Sequence, residues 1–165
     1  MIHTIIVEDD PMVAQINRQY LQKMGDFHID AQFDTGRDAR DYLRAHAVDL
    51  AILDVYMPGM NGVELLRQMR AEGIRCSVIM VTAATDRGLV ADVLRLGVVD
   101  YLIKPYSLPR FQEAVTKYLT KVNLLRGSRV ANQSVVDKLL GREPEAQVIH
   151  RRYPTYRYLF LHRNL

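Results

Sequence analysis

The stretch AILDVYMPGMNG, residues 51–62, carries one aspartate at the end of a strongly apolar run. Three aliphatic residues lead into Asp54, and turn-forming pairs follow at 58–59 (Pro-Gly) and at 61–62 (Asn-Gly). These residue types interrupt regular structure and favour turns. The pattern predicts a buried strand that ends close to Asp54 and leaves its carboxylate within reach of a ligand.

Further short apolar runs flank this stretch, with amphipathic segments between them. Three of the runs are almost continuously apolar, as expected for central parallel strands that are covered on both faces. Five β-α units in about 125 residues predict an α/β fold with a doubly wound sheet and right-handed crossovers. The predicted strands are IIV (5–7), HIDAQF (28–33), LAILDV (50–55), SVIMVTA (77–83) and VVDYLI (98–103).

Start and stop signals for helices lie between these strands. Asp10 precedes Pro11 and a run with apolar residues every three or four positions, so we predict that Asp10 caps the first helix and that Gly25 ends it. Asn61 and Ser107 are predicted to cap the third and fifth helices. The signals therefore agree with helices on the crossovers of a doubly wound sheet.

Polar side chains follow the strands on the side where such a sheet binds ligands. Glu8 and Asp9 follow the first strand, Asp54 the third, Thr82 the fourth and Lys104 the fifth. Neighbouring carboxylates repel each other unless a cation joins them. Carboxylate, carbonyl and water oxygens are the ligands that suit Mg²⁺. The sequence therefore predicts a magnesium site at this edge of the sheet.

Composition limits the class of protein. The 165 residues are 48% hydrophobic and 25% charged, which suits one globular domain with a small addition. The single cysteine, Cys76, excludes a disulfide framework and fits a reducing cytoplasm. The N-terminal MIHTIIVEDD lacks the basic region of a signal peptide, and no run reaches the roughly 18 apolar residues of a membrane span. We expect a cytoplasmic protein without membrane contact.

The charge is unevenly distributed. Residues 126–165 carry eight Arg and Lys against three Asp and Glu, a net charge of +5, whereas residues 1–125 have a net charge of −2. The segment VANQSVVDKLLG (130–141) predicts one amphipathic helix, and the basic, aromatic stretch after it fits no module that reads DNA bases. We therefore expect the tail to contact DNA only weakly and through phosphates.

The motifs VEDD, LDVYMPGMNG, VTA and KP, in this order, resemble the receiver domain of two-component response regulators. The resemblance covers residues 1 to about 122 and implies a flavodoxin-like, five-stranded sheet of order 2-1-3-4-5, with Mg²⁺ as cofactor. It implies a protein that accepts a phosphoryl group from a sensor histidine kinase. Such a protein catalyses its own phosphorylation and dephosphorylation but is not an enzyme in the usual sense. The implied residues are Asp54 for phosphorylation; Glu8, Asp9, Asp54 and the Tyr56 carbonyl for the metal; Lys104 and Thr82, with Asp54, for catalysis; and Thr82 and Tyr101 for switching.

The resemblance also implies how the phosphate changes the surface. The phosphate adds charge and strong hydrogen-bond acceptors, so the Thr82 hydroxyl can donate to it and vacate space for Tyr101. This would bias a pre-existing equilibrium of the face formed by helix 4, strand 5 and helix 5. A homodimer through that face is one assembly that the resemblance implies.

A narrower likeness concerns the last strand and helix. GVVDYLIKPY followed by RFQEAV resembles regulators paired with citrate and C4-dicarboxylate sensor kinases, the CitB-like regulators, which normally have Phe where this chain has Tyr106. Those regulators carry a helix-turn-helix output domain. The likeness therefore implies transcription control, with DNA contact only if an output domain is present. We predict a receiver domain over residues 1–122 and, over 123–165, a linker helix and basic tail that could be a truncated output domain.

The sequence leaves a second function open. A stand-alone receiver could act through protein partners or relay phosphate without touching DNA. A third class, the phosphatases with an aspartyl nucleophile, also uses Mg²⁺ but usually has a second acid two residues after the nucleophile. That position is Tyr56 here, which argues against a phosphatase.

Overall fold

The computed structural model describes residues 1–127 together with Ser134, Val136, Asp137, Leu140 and Gly141. Strands and helices alternate strictly through residues 1–127, as the spacing of the apolar runs predicts. The elements are β1 (Ile2–Val7), α1 (Pro11–Gln22), β2 (Phe27–Phe33), α2 (Gly36–Ala45), β3 (Leu50–Leu53), α3 (Gly62–Ala71), β4 (Ser77–Thr82), α4 (Arg87–Arg95), β5 (Asp100–Ile103) and α5 (Leu108–Gly127).

The five strands form one parallel sheet in the order β2-β1-β3-β4-β5, which confirms the predicted topology. Because β1 and β3 are neighbours and Val7 lies opposite Leu53, their carboxyl ends are level with each other. Residues that follow these two strands therefore start from adjacent points at one edge of the sheet.

The core lies on both faces of the sheet. Ile5 and Leu53 face a cluster formed with α2, α3 and α4, whereas Ile6 and Ile52 face a second cluster formed with α1 and α5. Successive strand residues point to opposite faces, so a central strand must be apolar at every position. All four residues of β3 are buried, which explains the unbroken apolar run before Asp54.

The helix starts are where the capping residues predict them. The Asp10 carboxylate accepts hydrogen bonds from the backbone N–H of Met12 (2.8 Å) and Val13 (3.3 Å). Asn61 and Glu64 form a reciprocal capping box at the start of α3, with bonds of 2.9 and 3.1 Å. Each cap satisfies backbone donors that have no partner within the helix. The α3 cap also fixes where the chain leaves the loop after β3.

Several element ends differ from the predicted ones. β1 begins at Ile2 and not at residue 5, because pairing with β2 and β3 extends the strand through polar residues that the apolar run does not include. β5 begins at Asp100, two residues later than predicted. α1 ends at Gln22, so Met24 lies just beyond the helix.

Residues Met1–Gly127 form one compact unit and Ser128–Leu165 a second. Within the predicted helix 130–141, Ser134, Val136 and Asp137 have helical geometry. The rest of that prediction, and the basic stretch after residue 141, lie outside the described residues. Among the helices that are described, none combines the length and the hydropathy needed to cross a bilayer.

Gly62 is required by a close approach of the backbone. A Cβ atom built on Gly62 would lie 1.9 Å from the carbonyl oxygen of Asp54, and the N–H of Gly62 donates to the carbonyl of Val55 at 2.9 Å. We expect Gly62→Ala to lower the free energy of unfolding by about 3 kcal/mol, the upper range for overpacking, because backbone must move. Urea denaturation measures the change.

Gly88→Ala in α4 is the matched control for that substitution. Its Cβ would meet only the Asp86 carboxylate within 4 Å, at 3.2 Å. Alanine has a higher helix propensity than glycine by up to about 1 kcal/mol, whereas the Asp86 carboxylate must shift slightly, so the free energy of unfolding of this variant should change by less than about 1 kcal/mol. Equal stability of the Gly62→Ala variant and the wild type would contradict the role given to the close approach.

Candidate functional site

The acidic residues that follow β1 and β3 converge as predicted, and Lys104 joins them. Glu8 and Asp9 follow β1, and Asp54 follows the neighbouring strand β3; carboxylate oxygens of the three lie within 4.8 Å of one another. Glu8 and Asp54 are almost completely buried, whereas Asp9 is exposed. The site is thus an acidic cluster with one open side.

Lys104 is the cation of this cluster. Its ammonium Nζ donates to Glu8 Oε2 at 2.8 Å and to Asp54 Oδ2 at 2.9 Å. The second oxygen of Asp54, Oδ1, accepts a bond of 3.3 Å from the backbone N–H of Tyr56. Buried carboxylates are tolerated only when they are paired and hydrogen-bonded. Lys104 therefore allows two buried acids to lie side by side.

The environment shifts the pKa values of the buried groups. Burial raises the pKa of Glu8 to about 7, against the opposing effect of its hydrogen bond with Lys104, and the nearby charge of Asp54 raises it further. Burial alone would lower the pKa of Lys104, but its hydrogen bonds to Glu8 and Asp54 outweigh burial and raise it. Near neutral pH the site therefore holds a charged lysine beside a glutamate whose pKa lies close to the surrounding pH.

The raised pKa of Glu8 makes stability depend on pH. A folded-state pKa of about 7, above the ordinary 4.5, means that the folded protein binds the extra proton between these values. The associated stability is complete below about pH 4.5 and is lost as the pH rises through about 7. In EDTA, we expect the free energy of unfolding of the wild type to fall by about 3 kcal/mol relative to that of Glu8→Gln as the pH rises from about 4.5 to about 7. Urea titrations at several pH values measure the difference; parallel curves would contradict the assignment.

Thr82 and Tyr101 both bond to Ala84, which follows β4 in the loop before α4. The buried Thr82 Oγ1 accepts from the backbone N–H of Ala84 at 3.2 Å, and the Tyr101 hydroxyl donates to the Ala84 carbonyl at 2.9 Å. Burial raises the pKa of Tyr101, so its hydroxyl stays protonated and able to donate. The two hydroxyls are thus joined through a single residue of the loop.

Tyr56 lies beside Asp54 with its side chain 58% exposed. Its backbone N–H is engaged with the Asp54 carboxylate, as described above. The exposed ring borders a cavity of about 380 Å³ that α3 and the start of α4 also line, with Asn61, Glu64 and Asp86 among its residues. The two residues that follow Asp54 therefore line a groove on the surface.

Asn17 on α1 is a buried polar residue beside the site that the sequence patterns did not predict. Asn17 is fully buried and its Oδ1 accepts a hydrogen bond from the Tyr106 hydroxyl, two residues after Lys104. The Tyr106 ring also packs against Tyr20 and Phe111. A signal was present, because Asn17 lies four residues after Val13 on the inward face of the helix. The bond ties α1 to the segment that carries the lysine, through a Lys104–Pro105 peptide that is cis.

The acidic cluster has the chemistry of a divalent-cation site. Three carboxylates offer hard oxygen ligands at short mutual distances, and the exposed Asp9 leaves room for water in the shell. Mg²⁺ prefers such oxygen ligands and keeps several of its waters. The donor set therefore fits the predicted ion.

Comparison with known proteins identifies the class to which this fold and site belong. The family model of the response regulator receiver domain matches residues 4–116, and the chain belongs to that family. A receiver domain is not an enzyme in the classical sense.

Particular relatives share more than the family pattern. The chain is 40% identical over 146 residues to the transcriptional regulatory protein MalR of Bacillus subtilis (strain 168), covering 88% of this chain and 62% of MalR. It is 36% identical over 141 residues to a Priestia megaterium protein named "Probable C4-dicarboxylate response regulator DctR", covering 86% and 62% of the two chains. The likeness to C4-dicarboxylate-type regulators predicted from GVVDYLIKPY is thereby confirmed. The chain spans just over three fifths of the length of these relatives.

A solved structure shares the fold. The crystal structure of a LuxR-family DNA-binding response regulator from Staphylococcus aureus matches with a TM-score of 0.67 and 32% identity, covering 72% of this chain and 98% of that chain. The likeness supports a flavodoxin-like receiver fold for the part of the chain that it covers.

Proposed function

We propose that this protein accepts a phosphoryl group on Asp54 from a sensor histidine kinase and thereby switches one of its surfaces. The observation that carries the proposal is the buried Asp54 carboxylate, bonded to Lys104 and adjacent to two further acids at the open edge of the sheet. Phosphoryl transfer depends mainly on alignment and on cations that offset spread negative charge. This site offers an ionisable nucleophile beside a fixed ammonium.

In the proposed reaction an oxygen of Asp54 attacks phosphorus and an acyl phosphate forms. The bond between phosphorus and the kinase histidine nitrogen breaks, and its electron pair stays on that nitrogen. A carboxylate nucleophile needs no general base to activate it. The Lys104 ammonium would then pair with the phosphoryl oxygens and give up part of its present hydrogen bonding to Glu8 and Asp54. Thr82 would donate its hydroxyl to the same group.

Glu8, Asp9 and Asp54, together with the backbone carbonyl of Tyr56, would hold Mg²⁺. When bound, the ion supplies positive charge that offsets the phosphoryl oxygens and the crowded carboxylates. Burial is the main cause of the raised pKa of Glu8, and the nearby charge of Asp54 adds to it. A cation bound beside Glu8 would act against both effects. The neighbouring acids therefore have a physical reason to recruit a cation.

The proposed switch uses Thr82, Tyr101 and Ala84, to which both side chains are hydrogen-bonded. When the Thr82 hydroxyl turns to the phosphate, it gives up the hydrogen bond that it accepts from the Ala84 N–H. Because the Tyr101 hydroxyl donates to the carbonyl of the same Ala84, the loss of that bond would affect Tyr101 as well. The equilibrium of the surface formed by α4, β5 and α5 would shift accordingly. This surface exposes Leu94 and Ile103, by 54% and 48%, which suits it to a homodimer contact.

The output of the proposed switch is transcription. We propose a receiver domain over residues 1–122 and a linker helix with a basic tail over 123–165, acting in the cytoplasm. Support comes from the similarity to MalR, a transcriptional regulatory protein, and from the Staphylococcus aureus DNA-binding regulator. DNA contact is proposed only where an output domain accompanies the receiver; without one, the same switch would act on protein partners.

A phosphorylation assay with a small donor tests the proposal. Incubation of the full chain with acetyl phosphate should add one phosphoryl group by intact mass, and only when Mg²⁺ is present. EDTA should prevent the addition, because the cation offsets the charge that the transfer concentrates at the site. Equal labelling with and without Mg²⁺, or mapping of the label outside residues 51–62, would overturn the proposal.

A further inference from the structure

A second cluster of polar side chains, two histidines and an aspartate, lies at the opposite end of the sheet. Its ligand atoms are more widely spaced than those of the acidic cluster, which alone among the described residues brings three within 4.8 Å of one another. His3 on β1 and His28 on β2 are paired directly in the register of the two strands, and Asp30 lies two residues further along β2. The His3 Nδ1 is 3.0 Å from Asp30 Oδ1, and His28 Nε2 is 3.5 Å from the same oxygen. Glu8 lies five positions after His3, just beyond the end of β1, which is about 16 Å at the usual rise of a strand. The cluster is therefore separate from the acidic site.

Asp30 lies at an irregularity of the sheet. Thr4 pairs with Ile29 and Ile5 pairs with Ala31, so Asp30 is the extra residue of a β-bulge. Such bulges re-aim side chains and are found beside functional sites more often than elsewhere. Asp30 lies two residues after His28 and so on the same face of the strand. Its carboxylate, only 13% exposed, lies beside both imidazoles.

The imidazoles have the freedom that a metal requires. The side chains of His3 and His28 are 51% and 56% exposed, and their ring centroids are 5.9 Å apart. Zinc bonds to imidazole nitrogen at about 2.0–2.1 Å, so both rings must turn toward the ion. Exposed rings can turn without disturbing the core. The His3 backbone is held in place, because its N–H donates to Asp49 Oδ2 at 2.9 Å.

We propose that His3, His28 and Asp30 form a binding site for a divalent transition metal, with zinc as the probe. Two imidazoles and one carboxylate are a recognised ligand set for zinc, with water in the fourth position. The ion would link β1 to the edge strand β2. This inference is independent of the phosphorylation chemistry, because it uses none of the residues of the acidic site.

Zinc titration by calorimetry tests the site, using the full chain without a histidine tag and with saturating Mg²⁺ to occupy the acidic cluster. The wild type should bind one zinc ion. His3→Ala, His28→Ala and Asp30→Asn should each weaken the affinity for zinc by about tenfold or more, because losing a ligand should cost at least as much affinity as losing an outer-shell partner. Because protons compete with zinc for imidazole, binding should also weaken on acidification.

The control variants separate this site from the other three histidines. His46→Ala, at the end of α2, and the double variant His150→Ala/His162→Ala should bind zinc like the wild type. Unchanged binding in the three ligand variants, or loss only in the double variant, would overturn the proposal. A ligand variant is interpreted only if it melts like the wild type in EDTA.

An NMR measurement on the wild type does not depend on the folding of any variant. Zinc should shift the imidazole nitrogen resonances of His3 and His28 and raise the melting temperature, since a ligand that binds only the folded state stabilises it. Zinc-induced shifts confined to the other histidines would rule the site out.

Discussion

Replacing Asp54 with Asn should abolish phosphoryl transfer to this protein. Asparagine keeps the size of the side chain and can still accept from the Tyr56 N–H, but its amide is not a nucleophile that forms an acyl phosphate. Because the proposed chemistry has a single acceptor, the variant should gain no mass with acetyl phosphate and Mg²⁺. Intact mass spectrometry measures this directly, and the phosphorylation-dependent change of surface should disappear with it.

Asp10→Asn is the matched control, since it makes the same chemical change two residues after Glu8. Asp10 caps α1, and asparagine caps helices about as well as aspartate. This variant should be phosphorylated like the wild type. Labelling of Asp54→Asn at the wild-type level would show that another residue accepts the phosphoryl group.

Replacing Lys104 with Ala should both destabilise the domain and uncouple phosphorylation from the switch. The substitution leaves Glu8 and Asp54 buried without their shared cation. Removing one partner of a buried ion pair costs about 3–5 kcal/mol. We expect the free energy of unfolding to fall by about 3 kcal/mol in EDTA near pH 8, the lower end of that range, because the Lys104 side chain is 19% exposed. The loss should be smaller at a pH where Glu8 is protonated. Urea denaturation measures it.

Mg²⁺ should still bind to the Lys104→Ala variant, because the acids and the Tyr56 carbonyl remain. The phosphate would lack its fixed ammonium, so the NMR changes across α4, β5 and α5 should not follow phosphorylation. Lys117→Ala provides a comparison: this lysine also bonds a carboxylate, Asp100, at 2.9 Å, but is 58% exposed. Exposed pairs contribute at most about 1 kcal/mol. A normal surface change in Lys104→Ala would contradict its role.

The sheet and the positions of the site residues could be predicted from local patterns. A central strand must be apolar on both faces, so the runs that end at Val7 and Leu53 reveal β1 and β3. The caps at Asp10 and Asn61 are equally local, because the side chain bonds backbone only two or three residues away. The convergence of Glu8 and Asp54 follows once parallel strands are arranged in the predicted order.

Other features depend on distant partners and could not be predicted in this way. The Tyr106–Asn17 bond joins residues 89 apart, and no local pattern identifies such a pair. The bulge at Asp30 arises from the pairing of β1 with β2 and has no Gly to mark it. The individual roles of Thr82 and Tyr101 came from the family resemblance, since a threonine or tyrosine at a strand carries no unique chemical signal.

The two bonds of Lys104 also bear on how the domain is made. They connect β5 to residues 96 and 50 positions earlier in the chain. Because a ribosome delivers the N-terminal strands first, Glu8 and Asp54 emerge well before their cation exists. Contacts of such long sequence separation form late in folding. A nascent chain therefore carries Glu8 and Asp54 without the complete site around them, and the site is assembled only after residue 104 has been added.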